Sequence, residues 1–461
     1  MLKKIKLPQK IIAIIFLLTL FLSSIFFSGC FKKTTVFGPS IDRLEVWGVF
    51  DDSDAYEKIF YEFKKKNPSI KEIRYKKISA NAAEYEKILF DEIASGRGPD
   101  VFMFHNSWLF KHKDKLAPMP DSEKNINVFK ENFVDVATKD FIKENQIYAQ
   151  PLHIDTLALF YNQDLFNQAG IANPPTTWDD LSKNIRALTK IDSGGNISQS
   201  AVALGRSKDP GGINRAVDIL ALLFLQGGNP IVNESGKAVF GDDVASRSAL
   251  DFYIQFAQGG SANYTWNANM DYSIDSFRYG KTAMMFNYAY QAERLRISDP
   301  KLNFSIAPML QLSQENRKDY ANYWGLAVTK TGRFDPEKPQ NDPDYNTERI
   351  KKSWDLIKFI TSKSGKTTNF DATQEYLNRT KKVPARRDLL ELAKDDPKIG
   401  VFARQALTAV SWEQPDNSAV DDIFSQLIDD AVSGKTNSFE ALRQAAASIN
   451  ALFMKKQKTI R

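Results

Sequence analysis

From Leu44 to Phe104 the chain alternates short apolar runs with apolar residues at helical spacing, which restricts this region to strands packed under helices. Leu44 to Phe50 is a run suited to a buried strand. After Asp51, Asp52 and Ser53, the residues Tyr56, Ile59, Phe60 and Phe63 share one helical face, and Ser53 or Asp52 is placed to cap that helix. Asn67-Pro68 ends it, and Ile70 to Ile78 supplies a second strand. Tyr85, Ile88, Leu89 and Ile93 form the next helical face, Gly96-Arg97-Gly98-Pro99 breaks it, and Val101 to Phe104 is a third strand. The pattern predicts a βαβαβ unit with a parallel sheet. In open parallel sheets, ligands bind beyond the carboxyl ends of the strands. The loops after Phe50 and Phe104 therefore hold the first candidate contacts, Asp51 and Asp52, then His105 and Asn106 with Ser107 and Trp108 beside them. Such groups suit a hydroxyl-rich ligand, because carboxylates and amides take directional hydrogen bonds while a ring covers an apolar face. Capping by Asp52 and Ser53 and a core position for Trp108 are the plain alternatives.

The amino terminus has a different character. Lys3, Lys4, Lys6 and Lys10 precede the uncharged apolar run Ile11 to Phe27, giving the basic region, apolar core and small-residue ending of an export signal. Phe27-Ser28-Gly29-Cys30 resembles the bacterial lipobox, with Phe27 where leucine is usual. That resemblance implies a signal peptide over 1–29, acylation of Cys30, a lipidated tether over 30–40 and a protein held outside the cytoplasm at the cell membrane. Each buried CH₂ contributes about 0.8 kcal/mol and one chain holds only marginally, so stable anchoring needs several acyl chains. A spanning helix needs roughly 20 apolar residues, which leaves an uncleaved signal anchor as the alternative.

Cys30 is the only cysteine, so the exported part is expected to hold no disulfide and no cysteine-based metal site. Removing 1–29 takes four lysines and no acidic residue, lowering the formal charge from +6 to +2. That near-balance argues against a nucleic-acid partner. About 430 residues remain, more than one core usually holds, so two lobes are expected.

A later segment is more diagnostic. Tyr148 to Phe166 reads YAQPLHIDTLALFYNQDLF, followed by Gly170 and by Pro174-Pro175-Thr176-Thr177-Trp178-Asp179-Asp180, in which Thr177 and Asp180 have capping-box spacing. Together with Gly96 to Val101, Gly280-Lys281-Thr282-Ala283-Met284-Met285-Phe286 and Val383 to Leu390, in this order, the chain resembles the extracellular solute-binding proteins of ABC importers, family 1, the sugar-binding kind typified by the maltose-binding class.

The resemblance implies an α/β, two-lobed periplasmic-binding-protein-like fold (type II), each lobe a mixed, mostly parallel sheet flanked by helices, with the ligand in the cleft between. On that basis residues 41–152 and 306–365 form the N-terminal lobe, and 153–305 and 366–461 the C-terminal lobe. The first crossing lies near Pro151 to Asp155 and a return strand near Asn303 to Pro308. The cleft is then expected to use Asp155 and His153 beside the crossing, and Asn287, Tyr288 and Tyr290 after the Gly280–Phe286 strand. Trp266 and Trp324 are similar candidates and Trp412 a weaker one. Large aromatics are more often core than site, so about half of these five are expected to touch ligand.

The resulting expectation is a monomeric binding lipoprotein that captures a sugar or oligosaccharide and delivers it to ABC permease subunits, with no cofactor, metal or catalytic residue. A polyamine site is the runner-up, served by Asp51, Asp52 and Asp155. An exported glycosidase would need two carboxylates roughly 5 to 10 Å apart, for which Asp51 and Asp155 are the imaginable pair. His105 and His112, seven apart, invite a metal on one helix face, although no further ligands are evident. A non-transport adhesion lipoprotein is a further alternative. The remaining helices are expected at Ala216 to Leu225, stopped by Gly227-Gly228-Asn229, around Trp354, and over the last 40 residues or so, with 332–348 as a polar loop.

Overall fold

The computed structural model describes residues 41–208, 210–228, 230–331, 343–363 and 370–460. The expected signal peptide, Cys30 and the tether lie outside these residues, as do Asn229 and 332–342 of the expected polar loop.

The βαβαβ unit forms as the spacing predicts. Strand β1 (Ile41–Gly48) runs parallel to β2 (Ile70–Lys77) on one side and to β3 (Val101–His105) on the other. Helix α1 (Glu57–Lys66) buries Ile59, Phe60 and Phe63, and α2 (Ala82–Ala94) buries Tyr85, Leu89, Phe90 and Ile93. The capping expectation for α1 is corrected: a short 3-10 turn, Ser53–Ala55, precedes it, and neither Asp52 nor Tyr56 makes a side-chain cap. Asp52 bonds Lys77 instead, at 3.0 Å.

Two antiparallel strands complete this sheet, in the order β2-β1-β3-β11-β4, where β4 is Ala149–Pro151 and β11 is Trp324–Val328. Gly325 in β11 permits the close approach of β4. A Cβ there would stand 2.5 Å from the Gln150 carbonyl oxygen and 2.9 Å from the Phe141 ring. Gly325→Ala is therefore expected to cost about 2 kcal/mol by overpacking, seen as a lower guanidinium midpoint at unchanged m. An unchanged midpoint would show that the strands separate freely.

The second sheet has the order β9-β5-β8-β7-β6, built from β5 (Ala158–Asn162), β6 (Lys190–Ile191), β7 (Ile197–Val202), β8 (Thr282–Asn287) and β9 (Phe304–Ala307). Only β8 and β7 pair in parallel; β5 is antiparallel to β8 and β9, and β6 to β7. Both sheets are thus mixed, but less parallel than expected. Helix α3 (Trp178–Leu188) starts where the capping box places it, with Thr177 Oγ1 accepting from the Asp180 amide at 3.1 Å. Helix α4 (Ala216–Gln226) is buried on nearly all sides, in keeping with its almost wholly apolar sequence.

The chain passes between the sheets three times. The first crossing follows β4 and runs through Leu152 to Leu157, where the sequence reading gives Pro151 to Asp155. The second is later than expected, because β9 pairs with β5 and so Ile306 belongs to the second sheet; the return runs from 308 to 323. It contains β10 (Asp319–Tyr320), which pairs in parallel with β12 (Ala409–Val410) in the third crossing. The 366 boundary is likewise too early. Helix α6 (Pro343–Thr361) and helix α7 (Ala372–Thr380) both pack on the first lobe, α7 against α1. The second lobe resumes with α8 (Asn417–Val432) and α9 (Ser438–Ile460), which join α4 and the helix Val244–Ile254. Residues 343–348, expected as loop, are the first turns of α6.

Gln405 ties the three crossings together. Its amide nitrogen donates to Thr156 Oγ1 and the Leu157 carbonyl, both at 2.8 Å, and its oxygen accepts from the Met309 amide at 2.6 Å.

Candidate functional site

The carboxyl ends of β1, β3 and β8 meet the first two crossings, and most of the expected site residues gather there. Asp155, on the first crossing, is buried. Its carboxylate accepts from the amides of Thr156 and Ala289, both at 2.9 Å, and of Tyr290 at 3.4 Å. The latter two open helix α5 (Ala289–Ser298), whose N-terminal dipole favours an anion. Burial outweighs these bonds and raises the Asp155 carboxyl to about 7.

Two walls extend from this point. On the first lobe, His105 lies at the end of β3 with Nδ1 2.8 Å from Ser107 Oγ and Nε2 3.0 Å from Asn322 Oδ1. The Asn322 amide in turn donates to the Asp155 carbonyl at 3.1 Å, joining β3, the return crossing and the first crossing. Asn106 donates to Asp140 at 3.0 Å and accepts from the Tyr323 amide at 3.2 Å. Burial pushes His105 down to about 4, so it is neutral near pH 7. Asp51 accepts from Tyr376 Oη at 2.7 Å and Lys382 Nζ at 2.5 Å.

On the second lobe, Asn287 closes β8, donating to Asn214 at 3.0 Å and accepting from the Tyr288 amide at 2.9 Å. Tyr288 donates to Asp218 at 2.8 Å and stacks on Tyr290, with ring centroids 6.3 Å apart. Arg215 donates to Tyr290 Oη at 2.6 Å, with its guanidinium 5.2 Å from the Tyr288 ring centroid. It holds a left-handed backbone, φ 66°, immediately before α4. Asp421 of α8 adds a carboxylate whose charge reaches both Asp218 and Arg215.

His153 differs from its neighbours. It is 6% exposed, yet among the described residues neither ring nitrogen has a hydrogen-bond partner. Burial, with Lys382 and His105 nearby, holds it well below the usual histidine range. A neutral imidazole then carries one unmet donor and one unmet acceptor, at roughly 1–3 kcal/mol each.

The remaining candidates stand elsewhere. Trp266 is fully buried, its indole donating to the Gly211 carbonyl at 2.8 Å, and is a core side chain. Trp324 is 4% exposed and packs edge-on against Phe50, Trp108 and His105, so it supports the site from beneath. Tyr288 and Trp412 are buried too, leaving Tyr290, 36% exposed, as the accessible ring of the five. Asp52, bonded to Lys77, has a side chain 77% exposed. His112 lies on a separate short helix, with Nε2 2.8 Å from Glu86, so it shares no helix face with His105. Among the described residues no three or more His, Cys, Asp or Glu side chains are grouped to hold a metal.

Sequence reasoning missed Arg215, Asp218, Asn322, Tyr376 and Lys382. The strand-end rule applied to β7 points to the loop that ends in Arg215. Lys382 carried no such signal, since it reaches Asp51 across 331 residues of chain. A cavity of about 560 Å³ lies outside this constellation, on the α1–β2 face beside Phe60, Tyr61, Lys64 and Tyr75.

Comparison with known proteins agrees with this architecture. A binding protein of Brucella abortus is 21% identical over 371 residues, 80% of this chain and 82% of its own length. The sugar-binding protein MalE of Xanthomonas citri superposes with a TM-score of 0.68 at 18% identity, covering 91% of this chain and 99% of its own. A cyclo/maltodextrin-binding protein solved with maltotetraose gives 0.68 at 18% identity, over 93% of this chain and all of its own. These neighbours share the two-lobed fold. The family model for bacterial extracellular solute-binding proteins matches residues 48–367, and the chain belongs to that family.

Proposed function

We propose that the protein captures a neutral, hydroxyl-rich solute, a sugar or oligosaccharide, in the cleft between its lobes and delivers it unaltered to an ABC permease. The observation that carries this reading is the internal neutralisation of the cleft. Asp51 is taken by Lys382 and Tyr376, Asp155 by three backbone amides, and Asp218 by Tyr288 with Arg215 3.9 Å away, while burial and the charge of Asp218 push the Asp421 carboxyl up to about 7. A polyamine needs several carboxylates able to pair with its amines, and a glycosidase needs two committed to the scissile bond. A saccharide needs a ring face and directional polar groups, which Tyr290, His153 and Arg215 supply, whereas Asn287 is fully buried with its amide bonded to Asn214 and to the Tyr288 amide. Family membership places the protein outside the cytoplasm. Acylation of Cys30 on its short tether would hold it near the permease and raise the effective concentration of the pair.

Thermal unfolding of the purified protein with maltotetraose, raffinose and spermidine tests the ligand class. A ligand at 100 times its dissociation constant adds about 2.7 kcal/mol, so a saccharide is expected to raise Tm and spermidine to leave it unchanged. A shift with spermidine and none with any saccharide would reject the reading. Chromatography of the bound saccharide is expected to return it intact.

A further inference from the structure

We infer that His153 is the specificity-determining residue of the cleft, and that its two ring nitrogens take a pair of ligand hydroxyls, one accepting and one donating. The inference rests on the cleft being the solute site and names the group that reads the solute.

Of the three histidines in the chain, the other two have protein partners: His105 at both nitrogens, His112 through Nε2 to Glu86. His153 has none at either nitrogen among the described residues, although only 6% of its surface is exposed. Its place is fixed from both sides. The Leu152 amide donates to the Trp324 carbonyl and the Ile154 amide to the Val383 carbonyl, each at 3.0 Å. The imidazole is therefore held where the first crossing meets β11 and the 383 segment, and backbone slack does not account for its unbonded state.

The charges around it select the ligand group. Lys382 and His105 are the titratable neighbours whose charge acts on the ring, and no carboxylate bonds it as Glu86 bonds His112. A neutral imidazole offers one N–H and one lone pair. An ammonium can only donate and leaves the ring N–H unmet; a carboxylate can only accept and leaves the lone pair unmet. Hydroxyls do both, and because the two ring nitrogens point away from each other, each takes a hydroxyl from a different part of the ligand.

The test uses the whole protein with two substitutions. His153→Phe keeps a planar ring without polar atoms, and His153→Gln keeps one donor and one acceptor. With maltotetraose or raffinose, whichever shifts the wild type more, His153→Phe is expected to weaken binding by at least about 10-fold and His153→Gln by about 3-fold or less. Ligand-free His153→Phe is expected to melt no lower than wild type, because it removes two unsatisfied buried groups. Unchanged affinity in His153→Phe overturns the inference. If the wild type binds spermidine and neither saccharide, the sugar reading fails, and a loss of that binding in His153→Phe overturns the hydroxyl assignment as well. If no probe binds, the ligand-free melt decides: a Tm above wild type supports unmet binding groups, and one below makes His153 a structural polar residue and overturns the inference.

Discussion

Arg349→Ala is expected to lower the stability of the protein by about 3–5 kcal/mol, the usual cost of stranding one partner of a buried ion pair. Arg349, on α6, and Asp100, just before β3, have side chains only 4% exposed and lie 3.1 Å apart. The pair joins elements far apart in sequence. Arg349 also donates to the Thr329 carbonyl at the end of β11 and to Asn346, both at 2.9 Å, while Asp100 accepts from the Glu45 amide of β1 at 2.7 Å. Removing the guanidinium leaves a buried carboxylate that keeps the Glu45 amide as its partner among the described residues, at the end of β3 opposite His105. Guanidinium denaturation measures the loss. Adding Asp100→Asn to Arg349→Ala is expected to recover part of it, because the stranded charge is gone. A loss under about 1 kcal/mol in the single variant would show that water reaches Asp100 readily.

The second large effect belongs to Asp155. Asp155→Ala leaves the Thr156, Ala289 and Tyr290 amides without their common acceptor and frees the start of α5 from the first crossing. About 2–3 kcal/mol of stability is expected to go with it. Ligand affinity is expected to fall roughly 10- to 100-fold, because Tyr290 loses its anchor. Asp155→Asn gives a sharper readout through pH. The folded carboxyl titrates near 7, above the ordinary aspartate value of 3.8, so between those values the folded state binds the proton more tightly. Its contribution is full below the unfolded pKa and is lost as pH rises toward 7. His105 and His112, depressed to about 4, act in the opposite sense, losing stability as pH falls below 6.5. They are present in both proteins, so the difference between wild type and Asp155→Asn isolates the carboxyl. Wild type is expected to lose stability relative to the variant from pH 4.5 to 7.5; parallel pH profiles would place Asp155 in contact with solvent.

Much of the first lobe is legible in the sequence because its signals are local. Phe60 and Phe63 mark a helical face, Gly96-Arg97-Gly98-Pro99 marks its neighbour's end, and Thr177 marks a cap. Lobe membership is not local. Phe304–Ala307 looks like any short apolar strand, and only its pairing with β5 assigns it to the second sheet. Helix α7 follows the same logic, since its attachment runs through Tyr376 to Asp51, 325 residues earlier. The aromatic candidates separate for a related reason: an indole has large apolar area to bury, and Trp266 and Trp324 bury it in the cores. Asp155 and His153 could be named as candidates because a crossing concentrates polar groups whose bonds strand pairing does not supply.

The most direct test of the cleft as the solute site is a crystal structure of the protein with the saccharide that gives the largest thermal shift. The account predicts the sugar between the lobes, in contact with the Tyr290 ring and within hydrogen-bond distance of a His153 ring nitrogen. A saccharide bound instead in the α1–β2 cavity beside Tyr61 and Lys64, with the cleft free of it, would contradict the account.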